Sequence, residues 1–276
     1  MSAKEYTKYK KTYGNTANAY LTKLVENDNY INATDEQKAS MVKEIYSYAS
    51  ALANEEYFDD KNVEYENDSL KEINKIKELN MTNTQIAEYV AQKKIISSIK
   101  SDEKLTSSEK KKEISEYLIN AKLNDKQLAY LYDKYYSSEK ILDSLLNANI
   151  PIKEYIKFNS QEFTTDYYDN GKAVTNSRKN KVINYVNSLN LSIPQKAMLI
   201  KLEYSSYTGY DNQIVNYINK MKYSKFEKAS ILKSFGFDNY DKYLIDYVNN
   251  MNKTKEEKTE ILEEMGFTIR NGKVYS

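Results

Sequence analysis

Apolar residues in this chain recur at three- and four-residue intervals and seldom alternate, which is the pattern of helices that each bury one stripe. Met41, Ile45, Tyr48, Ala49 and Leu52 keep that spacing behind Thr34-x-x-Gln37. Such a pair is a capping box: the threonine hydroxyl accepts from the third backbone N–H of the helix and the glutamine reaches back to the cap's own N–H. The pattern predicts the longest helix of the protein between Ile31 and Phe58. Lys4 to Asn27 reads as one or two short helices broken near Gly14, and Asp59 to Asn67 as a polar break. Beyond it, Ser69-x-x-Glu72, Thr82-x-x-Gln85, Thr106-x-x-Glu109 and Asn124-x-x-Gln127 each open a further helix. Ser138 to Asn147 makes another short one, and Pro151, with a preset φ and no N–H to lose, starts a helix through Tyr155, Ile156 and Phe158.

In the last third the pattern repeats itself. Ile183-Asn-Tyr-Val-Asn leads to Ser192-x-x-Gln195-Lys-Ala-x-Leu199, Val215-Asn-Tyr-Ile-Asn to Ser224-x-x-Glu227-Lys-Ala-x-Ile231, and Ile245-Asp-Tyr-Val-Asn to Thr254-x-x-Glu257-Lys-Thr-x-Ile261. The copies start 32 and then 30 residues apart. Each ends one helix and caps the next, so the repeating unit is a helix-turn-helix pair. Ile183/Val186, Val215/Ile218 and Ile245/Val248 are expected to pack against Leu199, Ile231 and Ile261. Tyr185, Tyr217 and Tyr247 share the apolar register, which points to half-buried interface residues whose hydroxyls reach water or a carbonyl; a tyrosine ladder on a binding face is the other reading. Tyr117-Leu118 followed by Asn124-x-x-Gln127-x-Ala129-x-Leu131 keeps the same spacing, and Thr82-x-x-Gln85-x-Ala87 and Thr34-x-x-Gln37-Lys38-Ala39 are thinner copies.

Gly236 and Gly266 stand where helices stop. The chain closes on Phe267-Thr-Ile-Arg-Asn271-Gly272-Lys-Val-Tyr275, where Asn-Gly between two β-prone triplets predicts a small hairpin that seals the last repeat. The fold class is therefore all-α, with many short helices in helix-turn-helix repeats of about 30 residues and a small C-terminal β-hairpin. Two regions are expected, 1–165 and 172–276.

Composition narrows the chemistry. With no Cys and no His among 276 residues there is no disulfide, thiolate, imidazole base or zinc-thiolate site, and six Gly leave no phosphate-cradling loop. No carboxylate pair stands out among forty acidic residues, so no enzyme and no cofactor are expected. Asp166 to Gly171 has calcium-loop character, with Asp166 and Asn170 at ligand positions, but Tyr168 and Ser177 occupy positions that need oxygen ligands of the usual kind, so a plain turn is expected and no metal. No apolar run is long enough for a membrane span, and the polar start Met1-Ser-Ala-Lys-Glu-Tyr is unlike a signal peptide, which suggests a protein made in a cytoplasm.

Net charge is +1, yet Lys172 to Lys233 holds eleven basic and three acidic residues. If any surface meets a partner, its candidates are the non-repeating outward positions of that stretch: Arg178, Lys179, Lys181, Lys201, Lys220, Lys222 and Lys225. A protein partner or, with Ser177-Arg-Lys-Asn-Lys181 set against phosphates at a helix start, a nucleic acid would suit them.

Two passages carry a resemblance. Tyr9-x-x-Thr12-Tyr13-Gly14 through Asp35-Glu-Gln-Lys38-Ala39 to Ile45-Tyr-Ser-Tyr48-Ala49-x-x-x-Ala53-x-x-Glu56-Tyr57, and Asn170-Gly171-Lys-Ala-Val-Thr-Asn-Ser177-Arg-Lys-Asn-Lys181-Val-Ile-Asn-Tyr185-Val-Asn-Ser-Leu189 into Gln195-Lys196, resemble segments of large structural proteins of phages and prophages of low-GC Gram-positive bacteria. In that family such stretches form the C-terminal part of much longer virion-associated proteins and carry no catalytic motif. This chain has only 276 residues, so roles of the family's N-terminal region do not carry over. The resemblance implies a non-enzymatic virion structural or assembly protein, found in the virion or the host-cell cytoplasm and acting by protein–protein contact. A nucleic-acid-binding helical protein and an inhibitor of a host enzyme are the alternatives.

Overall fold

A computed structural model of the chain describes residues 1–161, 175–204, 211–234, 236–270 and 273–275. The fold is all-α, with helix after helix and one two-stranded antiparallel hairpin at the C-terminal end. Contacts divide the chain into two compact units, Met1–Leu146 with Pro151–Glu162, and Asn147–Ile150 with Phe163–Ser276. The Asp166 to Gly171 turn lies outside the described residues.

The first part of the chain forms α1 (Ala3–Val25), α2 (Asp28–Ile31), α3 (Asp35–Asp59), α4 (Asp68–Glu78), α5 (Asn83–Ser101), α6 (Ser107–Asn120), α7 (Asp125–Tyr136), α8 (Glu139–Asn147) and α9 (Ile152–Asn159). Gly14 does not break α1, which runs through it for 23 residues. A glycine inside a helix costs about 1 kcal/mol against alanine, less than the burial of Ala17, Tyr20 and Leu24 on the same helix contributes. At 25 residues α3 is the longest described helix, and Met41, Ile45, Tyr48, Ala49 and Leu52 are buried as their spacing predicts. Along α1, Glu5, Lys8 and Tyr13 meet Lys61, Asp60 with Glu56, and Tyr46 in turn, so α1 and α3 are antiparallel.

The interior element of this unit is α5. Seven consecutive residues, Ile86 to Gln92, are buried, and the helix packs against α1, α2, α3 and α6. A helix enclosed on all sides must satisfy any polar side chain it carries internally.

One expected cap is not made. Asn67, not Ser69, caps α4, its side-chain oxygen accepting from Leu70 N at 2.7 Å, and the helix starts at Asp68. Glu72 is drawn instead into a set of inward-facing cations described below. Pro151 sits at the cap of α9, one residue before the first helical position; Asp125 Oδ1 accepts from Ile152 N at 3.2 Å and serves as the cap side chain that proline lacks.

The second unit is an array of α10 (Thr175–Ser188), α11 (Ile193–Tyr204), α12 (Asp211–Asn219), α13 (Lys225–Ser234), a 3₁₀ turn (Asp238–Tyr240), α14 (Asp241–Asn249), α15 (Lys255–Glu264), β1 (Thr268–Arg270) and β2 (Lys273–Tyr275). Each helix packs on the next, the neighbour-only pattern of a repeat array. The three expected capping boxes, Ser192/Gln195, Ser224/Glu227 and Thr254/Glu257, are all formed.

Packing matches expectation at Leu199, which is fully buried, and differs by one position in the other two copies. Val186, Ile218 and Val248 are fully buried, but opposite them Ile231 and Ile261 are only half-buried. The residues that close the interface are Ile200, Leu232 and Leu262. In the first two copies these sit three residues after buried Ala197 and Ala229, so the i, i+3 face, with alanine giving close approach, is turned inward.

Helix ends are closed by residues in the left-handed region. Gly236 and Gly266 have φ of 83° and 86°. After α13, Gly236 N donates to Lys233 O and Phe237 N to Leu232 O; after α15, Gly266 N donates to Glu263 O and Phe267 N to Leu262 O. This is the Schellman pattern, and Asn80 with Met81 repeats it after α4. Phe267 is buried with Ala229, Leu244, Val248 and Leu262, and Ile269 and Val274 of the hairpin pack against that cluster. The strands pair Thr268 with Tyr275, Ile269 with Val274 and Arg270 with Lys273; the intervening Asn271 and Gly272 lie outside the described residues.

The two glycine environments predict opposite substitution effects. A Cβ at Gly14 meets nothing within 4 Å, so Gly14→Ala is expected to raise stability by about 0.5–1 kcal/mol. Gly266→Ala, which forces alanine to a φ of 86°, is expected to cost about 1–2 kcal/mol. Urea denaturation of both variants measures the pair.

Candidate functional site

The lysine that follows each capping box has a role that its recurrence in every copy could have signalled. Lys196 Nζ donates to Asn187 O at 2.8 Å, Lys228 Nζ to Asn219 O at 2.9 Å and Lys258 Nζ to Asn249 O at 2.9 Å. Each cation therefore sits on an unpaired carbonyl at the C-terminal end of the preceding helix, where the helix dipole also favours it. Tyr217 adds a link between copies, its hydroxyl donating to Asn187 Oδ1 at 2.8 Å. That partner is the carbonyl oxygen of a side-chain amide, in keeping with the carbonyl expected.

The sequence-selected residues have several fates. Arg178 and Lys179 lie on α10, with their side chains outside the described residues. Lys181 is exposed on the same helix, but is not without a partner. Lys201 is half-buried and engaged, its Nζ 3.6 Å from where a Cβ at Gly236 would lie, so it is not an outward position. Lys220 and Lys222 are exposed. Lys225 is exposed and sits with Nζ 4.5 Å from the centre of the Tyr243 ring.

Around Lys225 an aromatic surface forms. Phe226 stacks on Tyr247 at 4.3 Å, and Tyr243 lies 6.0 Å from Tyr247. Tyr247 keeps 43% of its surface exposed and Tyr223, beside Lys222 in the approach to α13, keeps 47%. Tyr247 thus departs from the half-buried role expected of it, and belongs to an outward aromatic and cationic patch.

In the first unit the polar chemistry is inward. Lys93 of α5 bridges Glu44 of α3 at 2.5 Å and Glu72 of α4 at 2.6 Å; Lys94 binds Glu44 at 2.7 Å, and Lys134 of α7 binds Glu72 at 2.5 Å. Tyr89 donates to Glu72 Oε1 at 2.6 Å. Burial alone would raise the pKa of Glu72, but hydrogen bonds from Lys134, Lys93 and Tyr89 outweigh it and hold the carboxyl at about 2. Glu44 is lowered in the same way, burial being overcome by Lys93 and Lys94. Burial, reinforced by the charges of Glu72 and Glu44, pushes the Tyr48 phenol up, so it stays protonated. This network ties four helices together. Ser69-x-x-Glu72 had concealed it by looking like a cap.

A second polar feature interrupts the apolar run of α5. Glu88 is only 3% exposed and Gln92, one turn on, 1%. Glu88 Oε2 accepts from Asn27 Nδ2 at 2.7 Å and Asn29 Nδ2 at 3.3 Å, and Oε1 from Gln92 Nε2 and the Lys122 backbone N–H, each at 3.1 Å. Glu88 and Gln92 line a cleft of about 360 Å³ together with Asp28, Asn29, Glu116, Tyr117, Asn120 and Lys122. The polar pair at i, i+4 within Ile86-Ala-Glu-Tyr-Val-Ala-Gln92 was the legible signal.

Among the described residues no three acidic side chains converge to hold a metal ion, and no helix is long and apolar enough to cross a membrane. Comparison of the chain with protein-family models, with curated proteins and with solved structures finds no match.

Two predictions follow the geometry. Lys228→Met, which takes the donor from Asn219 O, is expected to cost about 0.5–1.5 kcal/mol in urea denaturation, with the helix content unchanged. The depressed pKa of Glu72 makes its contribution present above its unfolded pKa of about 4.5 and lost as pH falls towards about 2. Its size is on the order of 2–3 kcal/mol after screening. Glu72→Gln should therefore flatten the fall in stability between those pH values, as read by denaturation at a series of pH.

Proposed function

We propose that this chain is a non-enzymatic helical scaffold that works through protein–protein contacts, as a structural or assembly protein of a phage virion. The observation that carries the contact reading is the exposed Tyr247 ring, stacked on half-buried Phe226 and near Tyr243 and Lys225, with Tyr223 exposed in the approach to α13. Tyrosine gives large, rigid contact area with a polar tip, and aromatic residues are enriched at the buried centre of protein interfaces while lysine belongs to their rim. The phage assignment rests on the sequence resemblance.

A nucleic-acid role has less to stand on. Of the eleven basic residues between Lys172 and Lys233, Lys196 and Lys228 are committed to helix-end carbonyls, Lys233 to Asp241 at 2.9 Å, Lys225 to the Tyr243 ring, and Lys201 is half-buried and engaged. The residual local charge available to phosphates is correspondingly small.

The test places a photo-crosslinking amino acid at Tyr223 or Tyr247 in cells producing particles, with mass spectrometry of the purified particles beside it. The expected result is the chain in the particle and cross-links from both positions to a protein. Its absence from particles overturns the virion assignment, and DNA binding with a steep salt dependence overturns the protein-contact reading.

A further inference from the structure

The cleft over Glu88 is built for a cation, and we infer that it binds an alkylammonium group. It lies in the first unit and is independent of the aromatic surface in the second. Glu88 is buried, yet all four of its hydrogen-bond donors are neutral: Asn27, Asn29, Gln92 and the backbone N–H of Lys122. Among the described residues no cation pairs with it. The side chain of Lys122 turns to Asp28 at 3.3 Å, where both groups are largely exposed and the pair is weak. With Asp28, Glu88 and Glu116 against Lys122, the lining carries a net charge of −2 when its carboxyls are ionised. Buried charge of this kind is ordinarily paired.

A second observation points to a ligand donor. Gln92 lines the cleft and is 1% exposed, and its Oε1 has no hydrogen-bond partner. Its orientation is fixed, because turning the amide over would set its oxygen against Glu88 Oε1 in place of the 3.1 Å bond from Nε2. A buried amide oxygen left without a donor forfeits the hydrogen bond that water would have given it. An N–H donor brought into the cleft would restore it.

The chemistry selects ammonium over the other cations. Three acidic groups do not converge on a metal here. The advantage of guanidinium is a planar fork laid across both oxygens of a carboxylate, but both oxygens of Glu88 already accept two bonds each. An ammonium is a compact charge with three donors that rotate freely. It needs only nearness to Glu88 and single acceptors such as Gln92 Oε1 and Glu116. Tyr117 on the wall supplies aromatic surface for the cation or its aliphatic arm. The arm can belong to a free polyamine or to a lysine side chain of another protein; both carry the same group.

Calorimetric titration of the full chain tests this with n-pentylamine as the probe and 1-pentanol as its neutral counterpart. Saturable binding of the amine and none of the alcohol is expected. Glu88→Gln removes the buried charge, and Glu116→Lys puts a competing ammonium on an exposed position of the same cleft without disturbing the core. Each is expected to weaken the amine at least about tenfold, which corresponds to roughly 1.4 kcal/mol. Spermidine and N-acetyl-lysine methylamide then separate the two sources, the tighter one identifying whether a free polyamine or a partner's lysine is the natural guest. The inference is overturned if none of the amines binds saturably, if pentylguanidine binds more tightly than pentylamine, or if a folded Glu116→Lys protein binds the amine as well as the unaltered chain.

Discussion

Every helix leaves backbone N–H groups bare at one end and carbonyls at the other, and this chain has six glycines and two prolines with which to end more than a dozen helices. The fold depends on how that constraint is met. Eight helix starts among the described residues, from Ser2/Glu5 to Thr254/Glu257, are closed by reciprocal side-chain caps. Ends are closed by a left-handed Gly or Asn where one is present, and by a lysine from the next helix in the repeats. Much of the polar composition is thereby spent on backbone, which explains how a chain of mean hydropathy −0.79 still builds two packed units.

The two units use charge differently. In the second, polar side chains close helix ends and the core is a modest line of Val, Leu, Ile and Ala positions. In the first, a long helix is enclosed and its polar residues must find partners within the protein. Lys93 and Lys94 do so with Glu44 and Glu72, as a network whose carboxylates are held ionised far below neutral pH. Glu88 does so with neutral donors alone. The first arrangement answers every charge, and Lys93, Glu44 and Glu72 each hold more than one partner. The second satisfies the hydrogen bonds of the carboxylate and leaves its charge unanswered.

The all-α class, the hairpin, the repeat period and most helix starts were legible because each rests on local grammar: period, caps, turn residues. What escaped depends on which face turns inward, a matter of tertiary packing. Ser69-x-x-Glu72 satisfies the letter of a capping box, but Asn67 lies one step earlier and three donors compete for the carboxylate. Ile231 and Ile261 had the right period but the wrong rotation. Of the candidate contact residues, Lys220, Lys222 and Lys225 are exposed, while Lys201 is tucked against the Gly236 turn. The Glu88 cleft draws on α2, α5, α6 and the turn after it, so sequence proximity could not assemble it.

The lysine that reaches back nine residues to the end of the preceding helix makes each repeat a closed clause. Cap, clasp and packing face all lie within about 30 residues, so the contacts that define one copy form without waiting for distant chain. Folding can begin in any copy and spread to its neighbours. The same locality bears on how such a chain changes over generations: a duplicated segment arrives with its own start, its own stop and a face that fits the last copy. The array can lengthen or shorten by whole copies, while single-residue insertions between a helix-end asparagine and its lysine, as between Asn187 and Lys196, throw the clasp out of register.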